Sequence, residues 1–274
     1  MPTIFITGAS SGLGKATAKL FAARGWHVIA TMRHPEHETE LPQLPNVHLL
    51  PLDVTDLAQI EQTVQRAIAL HPIDVVFNNA GYGLIGALEA TSDEQLTQLL
   101  NTNLLGVIRV TKAFLPHLRA KRSGRILSTT SMGGFLAFPL YSIYHAAKWA
   151  VEGWSESMSF ELALHNISIK TISPGGTATD FTGRSLQVAA HDAYAGLFQQ
   201  LMAGQEGVQF APAEAIAEVV YQAATDPQDQ LRYPAGADAV AMYAQRLAVG
   251  PEAFRQGVAA QFGLPKMAES AANI

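Results

Sequence analysis

The chain has 274 residues, 48% of them hydrophobic and only 15% charged, a composition that suits one compact domain or at most two. Its formal charge of -5 is spread along the sequence without a Lys/Arg stripe, which argues against the counterion-releasing surface that nucleic acid requires. Cysteine is absent, which removes disulfides, thiolate metal sites and cysteine nucleophiles together and points to a reducing compartment, read here as the cytoplasm.

Met1 leads directly into Thr3-Ile4-Phe5-Ile6-Thr7, a buried-strand pattern with no basic n-region or cleavage site, so no signal peptide is expected. No apolar run approaches the ~18 residues of a membrane span. Short runs rich in Val, Ile, Leu and Thr predict strands at Thr3–Thr7, His27–Thr31, Val47–Pro51, Ile73–Phe77, Gly124–Ser128 and Ile167–Ser173, with a last one near Gln230–Tyr233. Between them, helical periods fill Leu13–Arg24, Asp56–Leu70, Asp93–Arg122, Ser142–His165 and Pro212–Thr225. This alternation predicts a doubly wound α/β fold with a parallel sheet, organised over residues 1–274 as a single domain. Residues 175–208 depart from the alternation, mixing Gly, Thr and Ala with large apolar side chains, and read as a lid over the substrate. Residues 237–274 read as an Ala-rich helical extension that frays at Lys266–Ile274.

Thr7-Gly8-Ala9-Ser10-Ser11-Gly12-Leu13-Gly14 follows the first strand and opens the first helix. Gly8 permits the tight turn, Gly12 removes the Cβ that would block close approach, and Gly14 lets helix and strand pack. The helix N–H groups and dipole then face a pyrophosphate. Alone, such a segment is also what an ordinary glycine-rich turn looks like.

The spacing, with three residues between the first two glycines, resembles the single-domain short-chain dehydrogenases/reductases, a branch with the Rossmann fold. Further matches occur in family order: Asp53-Val54, Asn78-Asn79-Ala80-Gly81, Asn103, Ser131, Tyr144-x-x-x-Lys148, and Pro174-Gly175 with Thr179, so that the resemblance covers roughly residues 3–235. It implies that Asp53 and Val54 meet an adenine, and that Asn79, with Ala80 and Gly81 beside it, lies along the adenosine. Pro174, Gly175, Thr177 and Thr179 would approach the nicotinamide side, and Ser10, Ser11 and Leu13 would complete the cradle.

The second strand ends Ala30-Thr31-Met32-Arg33, and the family's acidic position falls on Met32. Arg33 offers a planar cation to a 2′-phosphate where no carboxylate repels it, which favours NADP(H) over NAD(H). A solvated surface arginine would leave the same trace. Ser11 stands where many NADP-preferring relatives carry a basic residue.

Tyr144 and Lys148 are four positions apart in a predicted helix and share a face. A free tyrosine has pKa near ~10, and an adjacent cation favours the phenolate, so Tyr144 is the candidate for proton exchange with a substrate oxygen. Lys148 would also hydrogen-bond the nicotinamide ribose. Ser131, thirteen positions before Tyr144, would hold that oxygen, although Ser128, Thr129 and Thr130 are also hydroxylated. The resemblance makes Asn103 the anchor of a water that links Lys148 to solvent. Without these companions, Tyr144 and Lys148 are also what an amphipathic helix face with a snorkelling lysine displays.

The resemblance thus implies hydride transfer between NADP(H) and an alcohol or carbonyl carbon, by a homodimer or homotetramer. Tyr82, Phe135, Phe138, Leu140, Phe181 and Leu186 lie in segments that border the expected cleft, as do Tyr194 and Phe198, which suggests a largely apolar alcohol, ketone or aldehyde as substrate. His145 is expected to contribute packing or a polar contact outside the site, since adjacent helix residues point about 100° apart. The nine histidines form no ligand pattern, so no metal is expected. Two rival readings are a nucleotide-sensing or scaffold protein without chemistry and an epimerase or dehydratase. The first usually loses the tyrosine or lysine present here, and the second has different glycine spacing and a larger C-terminal domain.

Overall fold

Alternating apolar runs and amphipathic helices produce eleven strands among the described residues, which are 1–178, 186–204 and 210–265 of a computed structural model. The strands are β1 (Thr3–Thr7), β2 (His27–Met32), β3 (Val47–Pro51), β4 (Val75–Asn78), β5 (Gly83–Gly86), β6 (Gly124–Thr129), β7 (Ile167–Pro174), β8 (Thr177–Ala178), β9 (Leu186–Ala189), β10 (Ala211–Pro212) and β11 (Arg232–Ala235). The helices are α1 (Gly12–Ala23), α2 (Leu57–Leu70), α3 (Asp93–Leu100), α4 (Gly106–Lys121), α5 (Ser142–Ala163), α6 (Ala195–Ala203), α7 (Ala213–Thr225), α8 (Ala237–Val249) and α9 (Pro251–Gln261).

Seven strands form one parallel sheet in the order β11-β7-β6-β4-β1-β2-β3, the doubly wound Rossmann-like arrangement expected. Phe21 and Trp26 at α1 and Val220 on α7 cover one face, and Val64 of α2, Phe114 of α4 and Leu162 of α5 cover the other. Burial on both faces explains why the strand sequences are continuously apolar instead of alternating. The strand order reverses at β1, between β2 and β4, which creates a crevice at the carboxyl edge where such folds take their ligands.

Several boundaries differ from expectation for identifiable reasons. β4 begins at Val75, not Ile73, because the Ile73 N–H leaves the ladder to donate to His117 Nε2 at 3.1 Å. The last strand lies at Arg232–Ala235, where Arg232 pairs with Thr171 and Ala235 with Pro174 of β7. The predicted helix Asp93–Arg122 is divided into α3 and α4 by a π turn at Asn101–Leu105, with Asn103 buried in it. Such widened turns often accompany functional sites.

The strand pairs β5–β9 and β8–β10 are additions that the sequence pattern did not carry. β9, from the expected lid, is thereby stitched beside β5. Thr179, Phe181 and the segment Lys266–Ile274, which was expected to fray, lie outside the described residues. No helix among the described residues is long and apolar enough to cross a membrane.

Candidate active site

At the end of β1 the backbone turns through Gly8 with φ 67° and Gly12 with φ 51°, conformations that favour glycine. A Cβ on Gly8 would lie 2.8 Å from Ala80 Cα, and one on Gly14 would lie 2.2 Å from the Gly8 carbonyl oxygen, so both glycines are required by close packing. Ser11 caps α1 without a side-chain hydrogen bond, and Ser10 is exposed. The first-turn N–H groups, with Leu13 among them, therefore lack a side-chain cap and suit an anion such as a pyrophosphate.

Thr7 Oγ1 accepts the N–H groups of Asn79 at 2.9 Å and Ala80 at 3.0 Å, while Asn79 Nδ2 donates to the carbonyls of Thr7 and Gly8 at 3.2 and 3.1 Å. These bonds fix the cradle against the end of β4. Gly81 lies beside the catalytic candidates, since a Cβ there would meet Asn103 Oδ1 at 3.1 Å and Lys148 Nζ at 3.8 Å.

Met32 is buried at the end of β2, and Arg33 beyond it is exposed and makes no ion pair among the described residues, leaving its guanidinium available. Beyond Arg33 stand Glu38 and Glu40, an acidic pair that sequence reasoning missed and that Lys15 of α1 neutralises at 3.1 and 2.6 Å. With Lys15 and Lys19 both bonded to it, Glu40 is held at a pKa of about 2. Asp53 is oriented by Thr55, whose N–H and hydroxyl donate to Oδ1 at 2.9 and 2.7 Å, and Val54 is buried against Gly106.

The catalytic candidates meet at this same edge. Tyr144 and Lys148 are buried on α5, with Lys148 Nζ 5.7 Å from the Tyr144 ring centroid. Ser131 follows β6, and its hydroxyl lies on the Tyr144 side, where it favours the ionised phenol. Lys148 donates to the Thr129 carbonyl at 2.9 Å. Burial pushes the Tyr144 phenol up to about 12, against a lowering contribution from Ser131, and burial brings Lys148 down to about 8 against the charge of Glu152. The tendency toward phenolate expected from the lysine is therefore outweighed here by desolvation.

Asn103 holds Tyr82 instead of offering its amide to solvent. Its Nδ2 donates to the Tyr82 carbonyl at 2.7 Å, and its Oδ1 accepts the Tyr82 N–H at 3.0 Å. On the far side, Pro174 pairs with Ala235 and Gly176 donates to Asp238 Oδ2 at 2.8 Å. A Cβ on Gly175 would lie 2.1 Å from Asp238, and Thr177 donates to the Gly175 carbonyl at 3.2 Å.

The cleft walls are partly as expected. Tyr82, Leu84 and Leu99 cluster with Tyr144, and a groove of about 590 Å³ between β5, Pro139–Leu140 and α6 is lined in part by Tyr194 and Leu197. Phe135 is a correction: it is buried with Leu136 and Phe254 beneath the C-terminal helices, so it packs the core and does not line the cleft. Glu152 and Asp238 were also missed. Only the i, i+4 relation of Glu152 to Lys148 was visible in the sequence.

The sequence profile of the family described as short chain dehydrogenase matches residues 2–188. An uncharacterized oxidoreductase of Schizosaccharomyces pombe is 37% identical over 238 residues, covering 85% of this chain and all of that protein. A short-chain dehydrogenase from Streptomyces avermitilis superposes with a TM-score of 0.82 at 31% identity, covering 94% of this chain and 95% of that one. An alcohol dehydrogenase from Thermococcus sibiricus complexed with 5-hydroxy-NADP gives 0.71 at 26% identity, covering 85% and 94%.

Proposed function

The chain belongs to the short-chain dehydrogenase family, and from that membership we propose that it moves hydride between NADP(H) and the carbonyl or alcohol carbon of a largely apolar small molecule, with Tyr144 as general acid and base. The observation that carries this reading is the meeting of Ser131, Tyr144 and Lys148 at the sheet's carboxyl edge, with Lys148 Nζ 5.7 Å from the Tyr144 ring centroid. A bound nicotinamide supplies or accepts the hydride.

Gly8, Gly12 and Gly14, with Ser10, Ser11 and Leu13, would hold the pyrophosphate through backbone N–H groups. Asp53, Val54, Asn79, Ala80 and Gly81 would line the adenosine, and Arg33 would pair with a 2′-phosphate. Pro174, Gly175 and Thr177 would border the nicotinamide, and the NADP derivative held by the Thermococcus enzyme supports the choice of nucleotide.

Ser131 orients the substrate oxygen while Tyr144 delivers a proton to the developing alkoxide. A phenol held at about 12 is stocked with its proton at neutral pH, which suits carbonyl reduction. Lys148, at about 8, is mostly ammonium at pH 7 and positions the nicotinamide ribose while countering charge on Tyr144. The Asn103 amide is engaged with Tyr82 and so fixes the wall of the cleft beside Lys148. The exposed Trp149 and Phe160 on α5, with Leu164 just beyond its end, would support self-association.

Titration of nicotinamide fluorescence tests the binding half of this reading without a substrate. NADPH should bind more tightly than NADH, and Arg33→Ala should weaken NADPH by about 10- to 100-fold while leaving NADH unchanged. Tighter NADH binding would remove the role given to Arg33. Binding of neither nucleotide would return the protein to the non-catalytic alternative.

A further inference from the structure

Ser131 and Tyr144 arrive from different elements, so their approach depends on holding the outlet of β6 in register with α5. The segment 133–138 that follows Ser131 is held by short-range turn bonds and by Trp149 Nε1 on the Leu136 carbonyl at 3.3 Å, and His145 ties both of its ends to α5. Its ring is buried, its Nδ1 lies 2.8 Å from the Gly133 carbonyl oxygen, and its Nε2 accepts the Phe138 N–H at 3.1 Å. A carbonyl can only accept and an amide N–H can only donate, so the ring is neutral, protonated on Nδ1 with its lone pair on Nε2.

Gly133 carries the connection onward, because its N–H donates to Ser131 Oγ at 3.0 Å. A Cβ at this position would stand 2.4 Å from His145 Nδ1, so the close approach requires glycine. The catalytic candidate Ser131 is thus one hydrogen bond from Gly133 and two from a side chain adjacent to Tyr144.

We propose that His145 is a positioning residue whose neutral ring clamps both ends of segment 133–138 to α5 and thereby sets the Ser131 hydroxyl against Tyr144. The catalytic consequence rests on the function proposed above, whereas the clamp itself rests only on the hydrogen bonds. Protonation would turn Nε2 into a donor facing the Phe138 N–H, two donors head to head, and release that end of the clamp. The titratable groups facing the ring are Tyr141, which precedes α5, and Tyr144 on it, with centroids 5.6 and 6.0 Å away, and Lys148 lies one turn on. Segment 131–140 contributes no ionisable side chain. From α8, Tyr243 stacks edge-on against Phe135 at 4.6 Å and Arg246 lies 5.3 Å over Trp149. Burial holds the His145 pKa below the ordinary imidazole value, so the clamp is closed at neutral pH and opens on acidification.

The test compares the wild type with His145→Ala, His145→Gln and Tyr144→Phe. It measures amide exchange over residues 132–140, NADPH affinity, and reduction of 4-nitrobenzaldehyde as a probe carbonyl across pH. His145→Ala should accelerate Phe138 exchange, leave NADPH affinity unchanged, and lower kcat by about 10- to 100-fold with little change in KM. Glutamine keeps an acceptor for the Phe138 N–H and cannot protonate in this range. His145→Gln should therefore restore slow exchange and hold its rate at acid pH, where the wild type falls.

Wild-type exchange and kcat in His145→Ala, or an unchanged acid limb in His145→Gln, would overturn the proposal. If Tyr144→Phe reduces the probe like the wild type while His145→Ala accelerates exchange, the clamp stands and the proposed function falls. An inactive Tyr144→Phe together with unaltered exchange in His145→Ala sinks the clamp alone.

Discussion

Glu152 lies one helical turn beyond Lys148 on α5, and its carboxylate is the charge that holds the Lys148 ammonium up against burial. The carboxylate is itself buried and satisfied. Thr130 and Ser173 donate to Oε1 at 2.6 and 3.1 Å, and Thr171 and Arg232 donate to Oε2, each at 3.1 Å.

Glu152→Gln removes that charge and keeps most of the shape. The Lys148 pKa should fall below about 8, because the raising influence is lost while desolvation remains. The alkaline limb of kcat/KM for the probe aldehyde, where the ammonium is lost, should move to lower pH. Glu152→Ala also removes an acceptor from Arg232, which keeps Glu156, and from three hydroxyls that retain weaker partners, and should cost about 1–3 kcal/mol in denaturant unfolding. An unmoved alkaline limb in Glu152→Gln would separate Glu152 from the lysine.

Phe254 of α9 is buried against Phe135 and Leu136, immediately beyond the Ser131 turn. Phe254→Ala should destabilise the protein by about 3–5 kcal/mol, read as a shift in the urea midpoint. A change below about 1 kcal/mol would mean that the C-terminal helices sit on the fold without securing this segment.

At the opposite edge of the sheet, His71 stacks on His27 at 3.9 Å and lies 5.4 Å from His48. Burial, then the charges of His27 and His48, lower the His71 pKa from its ordinary value near 6.5. The unfolded chain therefore takes up this proton more readily than the folded one. The associated stability is complete above pH 6.5 and is lost as pH falls from there toward the folded-state value. Unfolding midpoints at pH 7.5 and 5 should differ less in His71→Gln than in the wild type, and equal differences would remove the cluster from the account.

The sheet was legible because strands buried on both faces must be written as continuous runs of Val, Ile and Leu, as Thr3–Thr7 and Val47–Pro51 are. The cradle was legible because Gly8 and Gly14 meet steric demands that no other residue satisfies. The π turn at Asn101–Leu105 was not, since its sequence keeps a helical pattern and the turn accompanies a contact with Tyr82, 21 positions away. β5 and β9 were too short to show a period before pairing. Phe135 borders the catalytic turn in sequence, but only the fold reveals that Phe254 covers it. Glu152 and Asp238 escaped for the same reason: their partners lie on other elements, and nothing local announces them.

The central claim is that Tyr144 transfers the proton, and Tyr144→Phe tests it most directly because the ring and its packing are retained. Wild type and variant should bind NADPH alike in the fluorescence titration, while kcat for reduction of the probe aldehyde should fall by at least about 100-fold. Undiminished turnover at equal NADPH affinity would contradict the mechanism and require another proton donor at the Ser131 site.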